Sequence, residues 1–219
     1  MARIQPRRGG AAYSHRLHFV LVSDAARFSP KKWPIQERAR VTVDAMLTAT
    51  AHILEARGLA AVNTNTIAER AGVSIGSLYQ YFPNKTALLM LVADRLRARL
   101  TDAVKGTAMA HEGAPFALML REAMHAYGTE LARGARLHEA LFVPNAPWGH
   151  GDPNVAASIV ELASRALAER VAEPRAKAGV LVTTLGAFAH ATLAARPSHL
   201  VTKAFALQAE AIAEAVLAR

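Results

Sequence analysis

Cysteine is absent from this 219-residue chain, which excludes disulfides, thiolate metal sites and a cysteine nucleophile and suits a reducing cytoplasm, where the protein is expected to act. Aromatic residues make up only 6 %, and β-branched residues nowhere alternate with polar ones over a strand's length. What remains is rich in Ala and Leu, which enter helices at little entropic cost, so an all-α fold is expected. Signatures of catalysis are missing too: there is no Gly-rich phosphate loop, nucleophile elbow or paired-carboxylate constellation. Nine histidines are present, but His111, His125, His138 and His150 are scattered without an i, i+4 pair or acidic companions. No enzyme activity, metal or cofactor is therefore expected.

Long apolar runs are scarce. Near the N-terminal end Leu17–Val22 is six residues, too short for a secretory h-region. Between Lys177 and Arg196 lie eighteen uncharged residues, at the lower limit of a membrane span. Thr183, Thr184, His190, Thr192 and a surplus of Ala over Leu make it a poor one. A helix apolar all round is otherwise buried in a core or an oligomer interface. We read this one as an interface, not a membrane anchor.

Acidic residues are scarce in one half only. Residues 1–35 hold seven Lys/Arg against Asp24, residues 36–105 nine against six, and residues 106–219 ten against ten, so the net +9 lies wholly in the N-terminal half. A basic half joined to a neutral, apolar half suits a polyanion at one end and partners or ligands at the other. A solvated basic tail explains the first 35 residues almost as well.

Three segments are expected: a basic, largely disordered arm over 1–35, a helix-turn-helix domain over 36–84, and a helical effector-binding and dimerisation domain over 85–219. From Gln36, residues Val43, Met46, Leu47, Thr50, Ile53, Leu54 and Arg57 recur at helical spacing up to Gly58. Asn63 can cap a short helix reaching Ala71, Gly72 supplies a turn, and Ser74 can cap another from Ile75 to about Phe82, stopped by Pro83. A long helix from Lys85 carries Leu88, Leu89, Val92, Leu96, Leu100 and Val104 on one stripe and is expected to end at Gly106. Further helices are expected over about 115–133, 135–143, 153–172, 174–195 and 199–218, with a Pro- and Gly-containing loop at Pro144–Pro153.

The stretch from Asn63 to Lys85, NTNTIAERAGVSIGSLYQYFPNK, has the physics of a helix-turn-helix. Ile67 and Ala68 face inward, Ala71 and Gly72 let two helices cross closely, and Val73 and Leu78 fill the junction. That leaves Ile75, Gly76, Ser77, Tyr79, Gln80 and Tyr81 as candidates for the outer side of the second helix, with Gly76 and Ser77 small enough to settle into a major groove. Thr64 and Lys85 bring a hydroxyl and an ammonium to helix starts where phosphates could dock. Competing readings stand beside these. Phe82 reads as core, Tyr81 as core or contact, Asn63 and Ser74 as caps, and Ile75 could touch a thymine methyl or pack inward.

The run from about Arg38 to Leu89, with EARGL, then IAERAGVS, then GSLYQYFPNK and ALL, strongly resembles the DNA-binding domain of the tetracycline-repressor (TetR) family. Departures are Asn63, where the family usually has Thr, and Thr86, where an acidic residue is common. The resemblance implies phosphate contacts at Thr64 and Lys85 and groove-facing positions at Asn65, Ile75, Gly76, Ser77, Gln80 and Tyr81. It places a backbone-contacting tyrosine at Tyr79. It further implies a body that dimerises through its last two long helices, here about 174–195 and 199–218, and encloses a small-molecule effector. Met119, Met124, His125, Tyr127, Phe142, Trp148 and Phe188 are candidate lining residues, each with ordinary core packing as the competing reading. The expected function is a ligand-released repressor, dimeric on a palindromic double-stranded DNA operator. The rival readings are an activator or effector-independent regulator with the same head, and a nonspecific basic DNA binder.

Overall fold

The computed structural model describes residues 37–142 and 153–218, all-α in architecture; the expected basic arm and Trp148 lie outside the described residues. Helix α1 (Glu37–Arg57) buries Met46, Leu47, Thr50, Ile53 and Leu54 along one side, and the Thr50 hydroxyl is satisfied by donating to the Met46 carbonyl at 2.8 Å. Arg57, expected on that side, is exposed: the helix ends there at Gly58 (φ 73°), before its guanidinium would have to enter the core. A short 3-10 turn (Leu59–Ala61) leads to α2 (Thr64–Ala71) and α3 (Ile75–Tyr81).

Helix α4 (Lys85–Ala110) spans roughly 39 Å at 1.5 Å per residue. It runs through Gly106, the expected end, because one interior glycine costs only about 1 kcal/mol while Ala108 beyond it is buried. The turn comes instead near Gly113, at φ 81°. The body continues with α5 (Phe116–Arg133), α6 (Ala135–Leu141), α7 (Pro153–Leu167), α8 (Pro174–Ala195) and α9 (Lys203–Leu217). Helix α7 stops short of the expected residue 172, and the chain turns through Glu173 (φ 53°) before Pro174 opens α8. The last expected helix is divided. Pro197–Val201 forms a 3-10 segment, and Thr202 then caps α9 by accepting from the Phe205 amide at 3.2 Å.

Packing does not divide the chain at 84/85, where the head was expected to end. The first core gathers Met46, Leu54, Ile67, Leu78 and Phe82 with Leu88, Leu89 and Leu96 of α4, and also Leu137 and Leu141 of α6. The second holds Leu100, Leu131, Leu181, Leu185 and Phe205. Helix α4 is thus shared between head and body, and α6 wedges body into head. Ion pairs brace the arrangement: Arg95 of α4 holds Asp44 of α1, and Arg121 of α5 grips Glu210 of α9 with two donors, at 2.9 and 3.1 Å.

Candidate nucleic-acid interface and body cavity

Local signals build the head's surface. The Asn63 side chain accepts from the Thr66 amide at 2.9 Å and the Thr66 hydroxyl from the Asn63 amide at 3.4 Å, a reciprocal cap on α2. Gly72 adopts a left-handed conformation (φ 68°, ψ 30°) that closes α2, and the Val73 amide donates back to Ala68 at 3.0 Å. Ser74 caps α3 by accepting from the Ser77 amide at 3.0 Å, and Asn84 caps α4 from Ala87 at 3.0 Å. Asn63 and Ser74 therefore both serve as caps.

With α3 fixed this way, Leu78 and Phe82 are buried while Ile75, Gly76, Tyr79 and Gln80 are exposed. Of the two readings for Ile75, the outward one fits its 39 % exposure. Ser77 is half-buried, its hydroxyl 2.8 Å from that of Ser74, and Tyr81 is half-buried against the head core. Asn65 is exposed on α2. The Tyr79 hydroxyl lies 3.2 Å from that of Thr64, and Lys85 Nζ donates to the Val62 carbonyl at 3.2 Å, just before the α2 cap. Thr64, Tyr79 and Lys85 are so gathered around the start of α2 from three helices. Two hydroxyls and an ammonium beside free helical amides are suited to a phosphate oxygen.

The body holds a half-open cavity of about 400 Å³ between α4, α5, α7 and α8, within the usual range for small-molecule sites. Met119, Met124 and Tyr127, expected as lining, are on its wall. The other described candidates lie elsewhere. His125 is exposed, Phe188 stacks on Phe205 (5.1 Å between ring centres), and Phe142 stacks on His138 at 4.0 Å. Arg97 and Thr101 were missed as wall residues. Their signal was available, since positions 97, 101, 104 and 108 follow helical spacing along one side of α4.

His138 is fully buried, edge-on to His190 at 5.0 Å, and the Arg97 guanidinium sits 5.6 Å over the Phe142 ring. Among the described residues its Nε2 has no hydrogen-bond partner. Burial, and then the nearby His190 and Arg97, push its pKa from 6.5 down to about 3. The folded protein keeps this ring neutral where the unfolded chain would protonate it. Its contribution is complete above the ordinary value and is lost as pH falls towards the lowered one. Stability should therefore drop by on the order of 2 kcal/mol between pH 7 and pH 5 from this group. Urea unfolding at stepped pH checks it: His138→Phe should flatten that part of the profile, and parallel profiles for variant and parent would sink the assignment.

The described residues form a helix-turn-helix head carried on a helical body with a cavity. Residues 46–91 match the family described as bacterial regulatory proteins, tetR family. The match lies in the helix-turn-helix and the parts of α1 and α4 that flank it. The nucleoid occlusion factor SlmA of Pasteurella multocida is 34 % identical over 77 residues, 33 % of this chain and 39 % of that protein. The HTH-type transcriptional repressor KstR of Mycolicibacterium smegmatis is 39 % identical over 71 residues, 32 % of this chain and 34 % of that one. The matched stretch thus spans little more than a third of either relative. In fold the likeness extends further: a TetR-family transcriptional regulator from Streptomyces coelicolor superposes with TM-score 0.60 at 24 % identity, over 81 % of this chain and 98 % of that one.

Proposed function

We propose that the protein is a sequence-specific DNA-binding transcriptional regulator, acting in the cytoplasm as a homodimer that represses from a palindromic operator and is released by a small molecule. The observation that carries this reading is the surface of α3, where Ile75, Gly76, Tyr79 and Gln80 stand exposed beside the gathered Thr64, Tyr79 and Lys85. In this reading Thr64, Tyr79 and Lys85 hold phosphates, and Asn65, Ile75, Gly76, Ser77, Gln80 and Tyr81 face the groove. Gly76 suits close approach, with only the Ser74 hydroxyl, at 3.7 Å, near where a Cβ would be.

Helices α8 and α9 supply the dimer contact. Helix α8 is long and apolar enough to cross a bilayer, yet only 28 % of its apolar stretch is buried within the described residues. Val180 is 55 % exposed on α8 and Leu207 51 % on α9. Flanking them, Ala187, Ala191, Ala211 and Ala215 are exposed and small enough to let helices pack closely. A second copy covers such a face with self-complementary contacts and spaces two α3 helices for successive major grooves. Ligand in the body cavity would release DNA by binding the two head spacings with different affinity, moved by the shared helix α4.

The test is footprinting on the DNA upstream of the protein's own gene, with scrambled competitor, across a salt series. Two protected half-sites that survive competitor are expected. Lys85→Ala should weaken all sequences alike and reduce the salt slope by about one. Gln80→Ala, at an exposed position, should instead relax sequence preference. Equal binding to scrambled DNA would leave only the nonspecific reading standing.

A further inference from the structure

We infer that the body cavity takes an uncharged, mainly apolar molecule carrying one hydrogen-bond-accepting oxygen, such as a ketone or ester, with that oxygen seated at the Tyr127 hydroxyl. This rests on the effector reading above and narrows it to a chemical class.

Size comes first. The 400 Å³ cavity has room for on the order of a dozen waters at about 30 Å³ each. Its wall is built mostly from side chains such as Leu100, Met119, Met124, Leu181 and Leu185, which offer water little. Methionines on two turns of α5 adapt to an irregular apolar shape. An apolar ligand body gains by displacing that water.

Charge comes second. Arg97 is the one charged side chain on the wall among the described residues. Its guanidinium already donates to Asp94 at 2.7 Å and lies over the Phe142 ring. An anionic ligand would lose its hydration and compete with Asp94 for that cation. A cationic ligand would find no carboxylate among the described wall residues.

Polarity comes third. Besides Arg97, the polar side chains of the wall among the described residues are the Thr101 and Tyr127 hydroxyls. Burial pushes the Tyr127 pKa up to about 12, so the group remains a proton donor at any physiological pH. Among the described residues no side chain or backbone group pairs with that hydroxyl, which faces the cavity. A ligand acceptor placed there replaces water as its partner on an otherwise apolar wall, and losing that bond is worth on the order of tenfold in affinity.

The full chain and Tyr127→Phe are titrated calorimetrically with two probes of equal chain length, methyl nonyl ketone and undecanoate. The ketone should bind the parent protein at least about tenfold more tightly than the carboxylate. Tyr127→Phe, which keeps the ring and its packing, should lose about tenfold for the ketone and leave undecanoate unchanged. Tighter binding of undecanoate, or a ketone affinity indifferent to Tyr127→Phe, overturns the chemical class. In those cases the cavity reading survives if Leu185→Trp, which fills the space, abolishes the binding seen. Failure of the parent to bind either probe overturns the cavity reading and the class together.

Discussion

Replacing Gly128 by alanine is expected to destabilise the protein by about 3 kcal/mol, the upper end of overpacking costs, and to lower its melting temperature by roughly 6–12 °C for a chain of this size. Gly128 is buried midway along α5, where the chain of the 3-10 segment crosses it. A Cβ there would lie 2.3 Å from the Leu200 carbonyl oxygen, 2.9 Å from the Phe205 ring and 3.2 Å from the Leu200 carbonyl carbon. Two of these atoms are backbone, and Phe205 is itself fully buried, so no flexible side chain can swing aside. The helix and the segment must separate. The improved helix propensity of alanine, about 1 kcal/mol, offsets only part of this. Gly106→Ala provides the contrast, because nothing lies within 4 Å of its would-be Cβ. It should stabilise α4 by up to about 1 kcal/mol. Thermal unfolding of the two variants beside the parent decides the matter: equal melting temperatures would mean that the close crossing does not exist.

The second large effect is on assembly. Val180→Glu combined with Leu207→Glu puts carboxylates onto an exposed face that carries no charge on α8 between Lys177 and Arg196. In the single chain both positions are about half exposed, so the fold should tolerate them. In the proposed dimer each carboxylate would be desolvated near its own symmetry mate, a repulsion with no partner to relieve it. Sedimentation should find a monomer. Operator affinity should fall by on the order of a hundredfold or more, since two linked heads bind far more tightly than one. A double variant that stays dimeric, or a monomer that binds the operator as tightly as the parent, would falsify the proposed contact.

The head was legible because its determinants are local. Asn63, Ser74 and Asn84 each cap a helix within three residues of themselves, and Gly72 takes the left-handed turn that its position in the sequence suggests. Leu78 and Phe82 follow as buried neighbours by spacing alone. The body was less legible for a physical reason. In α8 nearly every position is apolar or small, so periodicity carries no information about which side meets which neighbour. Phe188 was accordingly expected on the cavity and stacks on Phe205 instead. Gly106 looked like a helix end and is not one, because tertiary burial at Ala108 outweighs one glycine. Gly128 carried the opposite lesson. A glycine inside a strongly helical run calls for a packing reason, and the crossing over Leu200 supplies it.

The wedge made by α6 bears on the order in which the chain can be built. Leu137 and Leu141 complete the first core, yet they leave the ribosome roughly forty residues after Leu96, its preceding member. At about 5–20 residues per second, synthesis holds the nascent head incomplete for on the order of seconds. During that interval the apolar slot awaiting α6 stands open to water or to chaperones. A head cut away after α4 would keep the same opening permanently, and could be grafted elsewhere only with a substitute for Leu137 and Leu141. If the head reads DNA as proposed, that activity matures only after a substantial part of the body has been synthesised.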